Sequence, residues 1–349
     1  MTALTVPARP EPDASLRPVP WRRMAWVTWR QHRFALGGVA ALLGALAVYL
    51  WLAGLHLHHA YAVAAACRPT TSDACAMMFS NINRPGTEVI PVLLQAVPAL
   101  IGAFVGAPVL ARELETGTFR YAWTQGFGRW RWALAKLVPL AVVVTAAAGA
   151  FSVLFSWYFE PFFADGWQIP FGPIVFDLRG DAFAAWTLAA FAIGALAGML
   201  IRRVVPAIAA TLAAYAGLAL AAGLYLRQHY LTPLLTTNPN VSGYAWTNPN
   251  VSGSPWIIGQ WWTKGGKPVS ESVISQVLQK GAPQLSPKGG VPQSPDVTQY
   301  LMQHGYTLWT SYQPGSRFWP FQWIEGGWLL ALSVLLIAAT IWLVRRRPA

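Results

Sequence analysis

Charged residues are scarce in this chain. Only 11% of its 349 residues are charged, 55% are hydrophobic, and the mean hydropathy is +0.39. Because soluble domains carry about 25% charged residues, this chain has too few of them to cover a surface that faces water. The composition excludes an ordinary soluble domain and predicts a polytopic membrane protein.

The sequence also lacks several motifs that define other functional classes. Its two cysteines are too few for a disulfide scaffold or a four-ligand zinc site. No G-x-x-x-x-G-K-[ST] phosphate-binding loop occurs, since KGGK at Lys264–Lys267 lacks the first glycine. We therefore predict no catalytic residues and no resident cofactor. Residues 1–20 have no apolar run, which predicts a disordered tail rather than a signal peptide.

Long hydrophobic runs are abundant. A helix needs about 20 apolar residues to cross a hydrocarbon layer of about 30 Å, and six stretches reach this length. The predicted spans are Phe34–His56, Val89–Ala111, Ala133–Tyr158, Ala182–Ile201, Val204–Leu226 and Gly326–Val344. The predicted fold class is therefore all-α, with a five-span region at 34–226, an outer region at 227–325, and a sixth span with a basic end at 326–349.

The distribution of charge predicts the orientation of these spans. The N-terminal tail, residues 112–136, Arg202–Arg203 and the C-terminal end hold 16 of the 25 Lys and Arg residues but only four of the 13 acids. Because Lys and Arg concentrate on the cytoplasmic side of membrane proteins, both termini are predicted to be cytoplasmic and residues 227–325 to be outside. Attraction to anionic lipid also accounts for this charge, so no nucleic-acid partner is expected.

A basic and aromatic segment, WRRMAWVTWRQHR at residues 21–33, precedes the first span. Tryptophans and arginines in this pattern predict a helix that lies in the cytoplasmic headgroup layer and then turns into the bilayer. A basic anchor beside the membrane is the alternative interpretation.

The first outer loop contains both cysteines. An oxidising exterior favours a disulfide between Cys67 and Cys75. His56, His58 and His59 precede them, but they lack i,i+4 spacing and no acid is close, so no metal site is predicted.

The large outer region contains a tandem decapeptide, TNPNVSGYAW followed by TNPNVSGSPW, at Thr237–Trp256. Two copies are too few for a solenoid, so we interpret them as a local duplication. Two short amphipathic helices are predicted further on, at residues 270–281 and 294–305, with Val273, Val277 and Leu278 on one face of the first.

Ionisable residues within the predicted spans lie near the span ends, as Lys136 and Glu88 do. A carrier driven by ions usually keeps charged side chains at mid-membrane depth. Their absence there argues against an ion-driven carrier and predicts an external source of energy.

The connector between the second and third spans is the only sizeable cytoplasmic segment between spans. Its candidate functional residues are Arg112, Glu113, Glu115, Gly117, Thr118, Phe119, Tyr121, Trp123 and Arg129. The two glutamates can pair with cations of a soluble partner, and the aromatic side chains can fill its pockets. The alternative is a solvated loop whose arginines only set the topology.

The order R-E-x-E-x-G-T after the second span, followed by basic and aromatic residues, resembles the ABC-2 type transporter permeases. The six spans, the interfacial helix and the large outer region before the last span are similar to that family as well. The resemblance implies an export permease that is coupled through residues 112–132 to a separate ABC ATPase, which binds ATP-Mg. It also implies pairing with a second permease chain, as a homodimer or heterodimer, in a bacterial plasma membrane.

Two other classes of function remain as alternatives. A non-transporting sensor or assembly factor would use the outer region to bind a partner. A membrane-embedded enzyme would need a cluster of acids, for which Asp165, Asp177 and Asp181 are the candidates. The sequence does not identify a transported substrate.

Overall fold

The computed structural model describes residues 21–67, 84–117, 129–164, 169–172, 174–238, 255–285 and 295–346. Within these ranges, six helical segments are long and apolar enough to cross a membrane. The six spans are Leu36–Ala66, Val89–Thr116, Trp130–Ala164, Ala182–Ile201, Val204–His229 and Gly315–Arg346. The prediction of an all-α polytopic membrane region is thereby confirmed.

The first span belongs to one continuous helix, α1, at Trp21–Cys67. The turn expected between residues 33 and 34 is absent, so residues 21–33 continue directly into the first span. The physical reason is local, since residues 21–36 contain neither proline nor glycine to break the helix. The location of residues 21–33 in the headgroup layer stays a prediction.

The second span contains a widened turn. Helix α2, Arg84–Ile101, continues through a π-helical segment, Gly102–Gly106, into α3, Ala107–Thr116. The amide of Ala107 bonds to the carbonyl of Gly102, five residues earlier. Pro108 follows directly, and in a regular α-helix its ring would clash with the carbonyl of Phe104. The wider turn relieves this clash, so the span continues through its prolines.

The third span is helix α4, Arg129–Ala164, and the fourth is helix α5, Ala182–Ile201, after a short 3-10 turn at Phe176–Leu178. The fourth span is the centre of the bundle, with 61% of its apolar window buried. It contacts the second, third, fifth and sixth spans.

Glycines allow the second and fourth spans to approach each other at backbone distance. A Cβ atom added at Gly106 would lie 2.6 Å from the carbonyl oxygen of Phe191, and one added at Gly194 would lie 2.7 Å from the amide nitrogen of Ala107. Gly102 and Gly198 leave equally little room. We call Gly102, Gly106, Gly194 and Gly198 the glycine seam. It is the small-residue packing that membrane helices use.

The fifth span consists of helix α6, Val204–Ala221, a second π-helical segment, Ala222–Leu226, and a 3-10 turn at Arg227–His229. Only 17% of its apolar window is buried. The sixth span is helix α9, Phe318–Arg346, which begins eight residues before the predicted start at Gly326. Glu325, predicted to end the outer region, therefore lies inside a helix.

A four-stranded antiparallel sheet lies between the fifth and sixth spans, and the sequence analysis did not predict it. Its strands are β1, Leu234–Thr236; β2, Trp256–Lys264; β3, Lys267–Val269; and β4, Tyr306–Gln313. Their order is β1-β4-β2-β3, with Trp261 opposite Trp309 in the central pair.

The two predicted amphipathic helices are present beside the sheet, as α7, Glu271–Gly281, and α8, Pro295–Gln303. They bury Ile274, Leu278, Val297 and Leu301 against Trp262 of the sheet. Val273, expected on the buried face, is exposed, and Ile274 takes that place.

Candidate functional site

We call the two ends of the helix bundle the motif end and the sheet end. The motif end holds residues 107–117, the start of α4 and the turn between α5 and α6. The sheet end holds residues 174–181, the end of the fifth span, the sheet and the start of α9. Polar contacts between spans concentrate at these two ends.

At the motif end, Arg112, Glu113 and Glu115 lie in the last turns of α3. Gly117 follows with φ of 72°, a left-handed conformation that glycine adopts at little cost. The motif R-E-x-E-x-G thus ends the second span and stops its helix immediately before the connector.

Glu113 forms an ion pair with Lys136 of the third span. The side chains are 14% and 4% exposed, respectively. The Lys136 ammonium also lies 4.7 Å from the centre of the buried Trp132 ring, a cation–π contact. Glu113 therefore joins the ends of the second and third spans through a buried charge pair.

Glu115 contacts the fifth span instead. Its Oε2 atom accepts a hydrogen bond of 3.0 Å from the backbone amide of Val204, the first residue of α6. The preceding residue, Arg203, makes no side-chain cap. A carboxylate at a helix N-terminus is favoured by the helix dipole, so Glu115 caps a helix from a different part of the chain.

The other predicted coupling residues have different outcomes. Arg112 is exposed on α3, and Arg129 begins α4. Thr118, Phe119, Tyr121 and Trp123 lie outside the described residues. Glu113 and Glu115, which sequence analysis assigned to a partner's cations, have partners within the chain.

The cysteine and histidine hypotheses have separate outcomes. Cys67 ends α1, but Cys75 lies outside the described residues, so the bridge stays a prediction. No group of three potential metal ligands occurs among the described residues. His58 packs on the Trp157 ring at 4.8 Å, with Nε2 3.0 Å from the Trp157 carbonyl.

At the sheet end, a buried ion cluster joins three parts of the chain. Arg227, at the end of the fifth span, bonds to Glu325 of the sixth span through Nε, at 3.0 Å, and through a terminal nitrogen, at 2.7 Å. The same guanidinium pairs with Asp177, which precedes the fourth span. Arg227 and Glu325 are at most 1% exposed, whereas Asp177 is 20% exposed.

Neighbouring polar groups satisfy this ion cluster. Trp186 Nε1 donates to Glu325 at 2.8 Å, and the Tyr230 hydroxyl donates to it at 3.2 Å. Trp328 Nε1 in turn donates to the Tyr230 hydroxyl at 2.8 Å. Asp177 receives one further bond, from Gln95 at 3.2 Å. Glu325 therefore accepts hydrogen bonds from more protein donors than Asp177 does.

Burial is the main cause that raises the pKa of Asp177, the charge of Arg227 lowers it, and the charge of Glu325 raises it. Together these effects raise the pKa of Asp177 to about 7. Of the acids considered for an enzyme, Asp181 precedes α5 and is exposed, and Asp165 lies outside the described residues. Asp177 is the member of that set that enters the ion cluster.

Sequence reasoning missed this ion cluster because it treated Arg227 and Glu325 as the boundaries of the outer region. The sequence did contain one signal for it, since an arginine follows the predicted fifth span and a glutamate precedes the predicted sixth span. The π-helical segment before Arg227 was not readable, although its extra residue changes the direction of that side chain by about 100° relative to a regular helix.

Comparison with known proteins gives one family. A family model described as ABC-2 membrane transporter related matches residues 40–227. The match includes Glu113, Glu115 and Arg227 but ends before the sheet and the sixth span. No curated protein and no solved structure matches the chain significantly.

Proposed function

The chain belongs to the ABC-2 membrane transporter related family, and from this premise we propose that it is the permease subunit of an ATP-driven exporter. A separate ABC ATPase binds ATP-Mg and hydrolyses it. Residues 112–132 of this chain dock that ATPase and convert its movement into a movement of the spans.

The observation that carries this proposal is the set of attachments at the motif end. Glu113 holds the end of the second span to the third, and Glu115 holds it to the fifth. The helical part of the connector ends at Thr116, one residue after Glu115. A force applied to the connector by a soluble partner therefore reaches three spans through two short contacts.

The orientation of the proposed exporter follows from charge. The excess of Lys and Arg in the termini and in residues 112–136 and 202–203 supports a cytoplasmic location of the motif end and of both termini. The proposed location is a bacterial plasma membrane. The sheet then lies on the outer side, where exported material leaves.

A second permease chain completes the transport path. The first and fifth spans have the largest exposed fractions, each with only 17% of its apolar window buried. Gly37, Gly38 and Gly44 in the first span and Gly217 in the fifth have no atom within 4 Å of an added Cβ. Exposed small residues let helices of two chains approach closely, which supports a homodimer or heterodimer through these spans.

The test is co-purification. The permease is purified from membranes of its native host, and the ATPase activity that purifies with it is measured. The variant Tyr121→Ala with Trp123→Ala removes two proposed docking side chains, each expected to cost about 2 kcal/mol of binding. These residues are chosen because Glu113 and Glu115 also hold the permease together. The matched control is Trp261→Ala with Trp319→Ala, which removes two exposed aromatics at the sheet end.

Wild type and control should retain equal ATPase activity, and the docking variant should lose most of it at the same membrane level. If wild type recovers no ATPase activity, the exporter proposal is wrong, and a sensor or assembly factor is favoured. If all three preparations recover the same activity, the ATPase docks elsewhere.

A further inference from the structure

The fifth span is held at both ends by charged groups that belong to other parts of the chain. At the motif end, Glu115 of the second span accepts the amide of Val204. At the sheet end, Asp177 and Glu325 hold Arg227. We infer that the fifth span is the element that links movement of the motif end to movement of the outer region, with Glu115 and Arg227 as its positioning residues. This inference rests on the proposed function.

The small number of buried residues along the fifth span supports this role. Within α6 and the π-helical segment, the buried residues are Ala207, Thr211 and Ala222. Val204 and Arg227 are separated by about 35 Å of helix. A helix with few interlocking side chains along its length is positioned mainly by its ends, so displacement of one end is transmitted to the other.

The contact at the motif end is well placed to receive a displacement. Glu115 lies in the last turn of α3, two residues before Gly117 stops that helix. Since Arg203 does not cap α6, Glu115 is the described side chain that satisfies the Val204 amide. Ala107 and Ala111 of α3 also pack against Ala207, so the two helix ends move together.

The contact at the sheet end distributes that displacement. Arg227 lies in the last turn of the fifth span, and Glu325 lies in the first turns of the helix that forms the sixth span. One guanidinium therefore holds both ends of a segment of almost one hundred residues. Arg227 also pairs with Asp177, which precedes the fourth span. A displacement of Arg227 therefore also reaches the central helix.

The experiment measures amide hydrogen exchange on the full chain in lipid nanodiscs, without any ATPase. The variants are Glu115→Ala, which removes the acceptor, and Glu115→Gln, which keeps an acceptor oxygen. Glu271→Ala is the matched control, because Glu271 is an exposed glutamate in the first turn of α7. A second variant, Glu325→Gln, perturbs the opposite end.

We expect Glu115→Ala to raise exchange about threefold or more in residues 174–181 and 226–232, far from the substitution, as well as at the start of α6. Glu115→Gln and Glu271→Ala should leave exchange at the sheet end unchanged. By the reciprocity of coupled sites, Glu325→Gln should raise exchange in residues 203–208.

If each substitution raises hydrogen exchange only at its own end of the fifth span, the proposed linkage is wrong. If Glu115→Ala does not fold, the Glu325→Gln arm decides alone. Because no ATPase is present, failure here leaves the proposed exporter function standing, and failure to recover an ATPase leaves this measurement unaffected.

Discussion

The two ends of the bundle are fastened in different ways. At the motif end, each carboxylate has its own partner, Glu113 with Lys136 and Glu115 with the Val204 amide. At the sheet end, Arg227 is shared by Asp177 and Glu325. The two polar contacts at the motif end can therefore break independently of each other. The sheet end opens only by breaking several bonds that share one guanidinium, which makes it the more cooperative of the two.

Removal of the shared guanidinium should have the largest effect on stability. Arg227→Met leaves Asp177 and Glu325 without their cation, and an unpaired buried charge typically costs about 3–5 kcal/mol. We expect a matching loss in the unfolding free energy of the purified protein in detergent. Arg345→Met, which removes an exposed arginine near the end of α9, is the control. Equal losses in the two variants would contradict a shared, buried cluster.

A smaller loss of unfolding free energy is expected at the motif end, where each carboxylate has its own partner. Glu113→Ala leaves the buried Lys136 ammonium unpaired and should cost about 3 kcal/mol. Adding Lys136→Met should recover most of this loss, because replacing both members of a buried pair by apolar groups is often nearly neutral. Thermal unfolding of both single variants and the double variant measures the recovery. Strictly additive losses would show that the two residues are energetically independent.

The smallest expected effect is a pH dependence of the unfolding free energy, which arises from Asp177 at the sheet end. The pKa of Asp177 is raised from 3.8 to about 7 by burial, so the folded chain binds this proton more tightly than the unfolded chain. The resulting stabilisation is complete below about pH 4 and is lost as the pH rises to about 7. Between pH 6 and pH 8 the unfolding free energy should fall by about 1 kcal/mol from this group.

Asp177→Asn should remove that fall, while His229→Gln, a change at an exposed imidazole two residues from Arg227, should leave it in place. Chemical unfolding curves at several pH values measure the difference. A fall of the same size in wild type and Asp177→Asn would assign the pH dependence to another group.

Local signals in the sequence were sufficient for the spans and for the two outer helices. Apolar length alone located six spans, and Pro295 and Gly305 bracket α8 as helix-start and helix-stop residues do. Only the ends were displaced, because hydropathy does not report where a helix continues beyond the hydrocarbon layer. The sixth helix continues outward to Phe318 for this reason.

Contacts between distant residues were not predictable in the same way. Lys136 lies 23 residues from Glu113, and Arg227 lies 98 residues from Glu325. Strands β2 and β4 likewise pair across about fifty residues, for example Gln260 with Thr310. Such pairs depend on how the helices cross and on one extra residue in a π-helical turn, and neither leaves a periodic pattern in a single sequence.

The glycine seam restricts which helices can move relative to one another. Side chains that interdigitate can change rotamer and slide, but at the seam the backbone of the second span lies directly against that of the fourth, with no side chain between them to rearrange. The two spans therefore form one rigid body. Relative movement of the spans is therefore expected at contacts made by side chains, such as those between the first and third spans, and not at the seam.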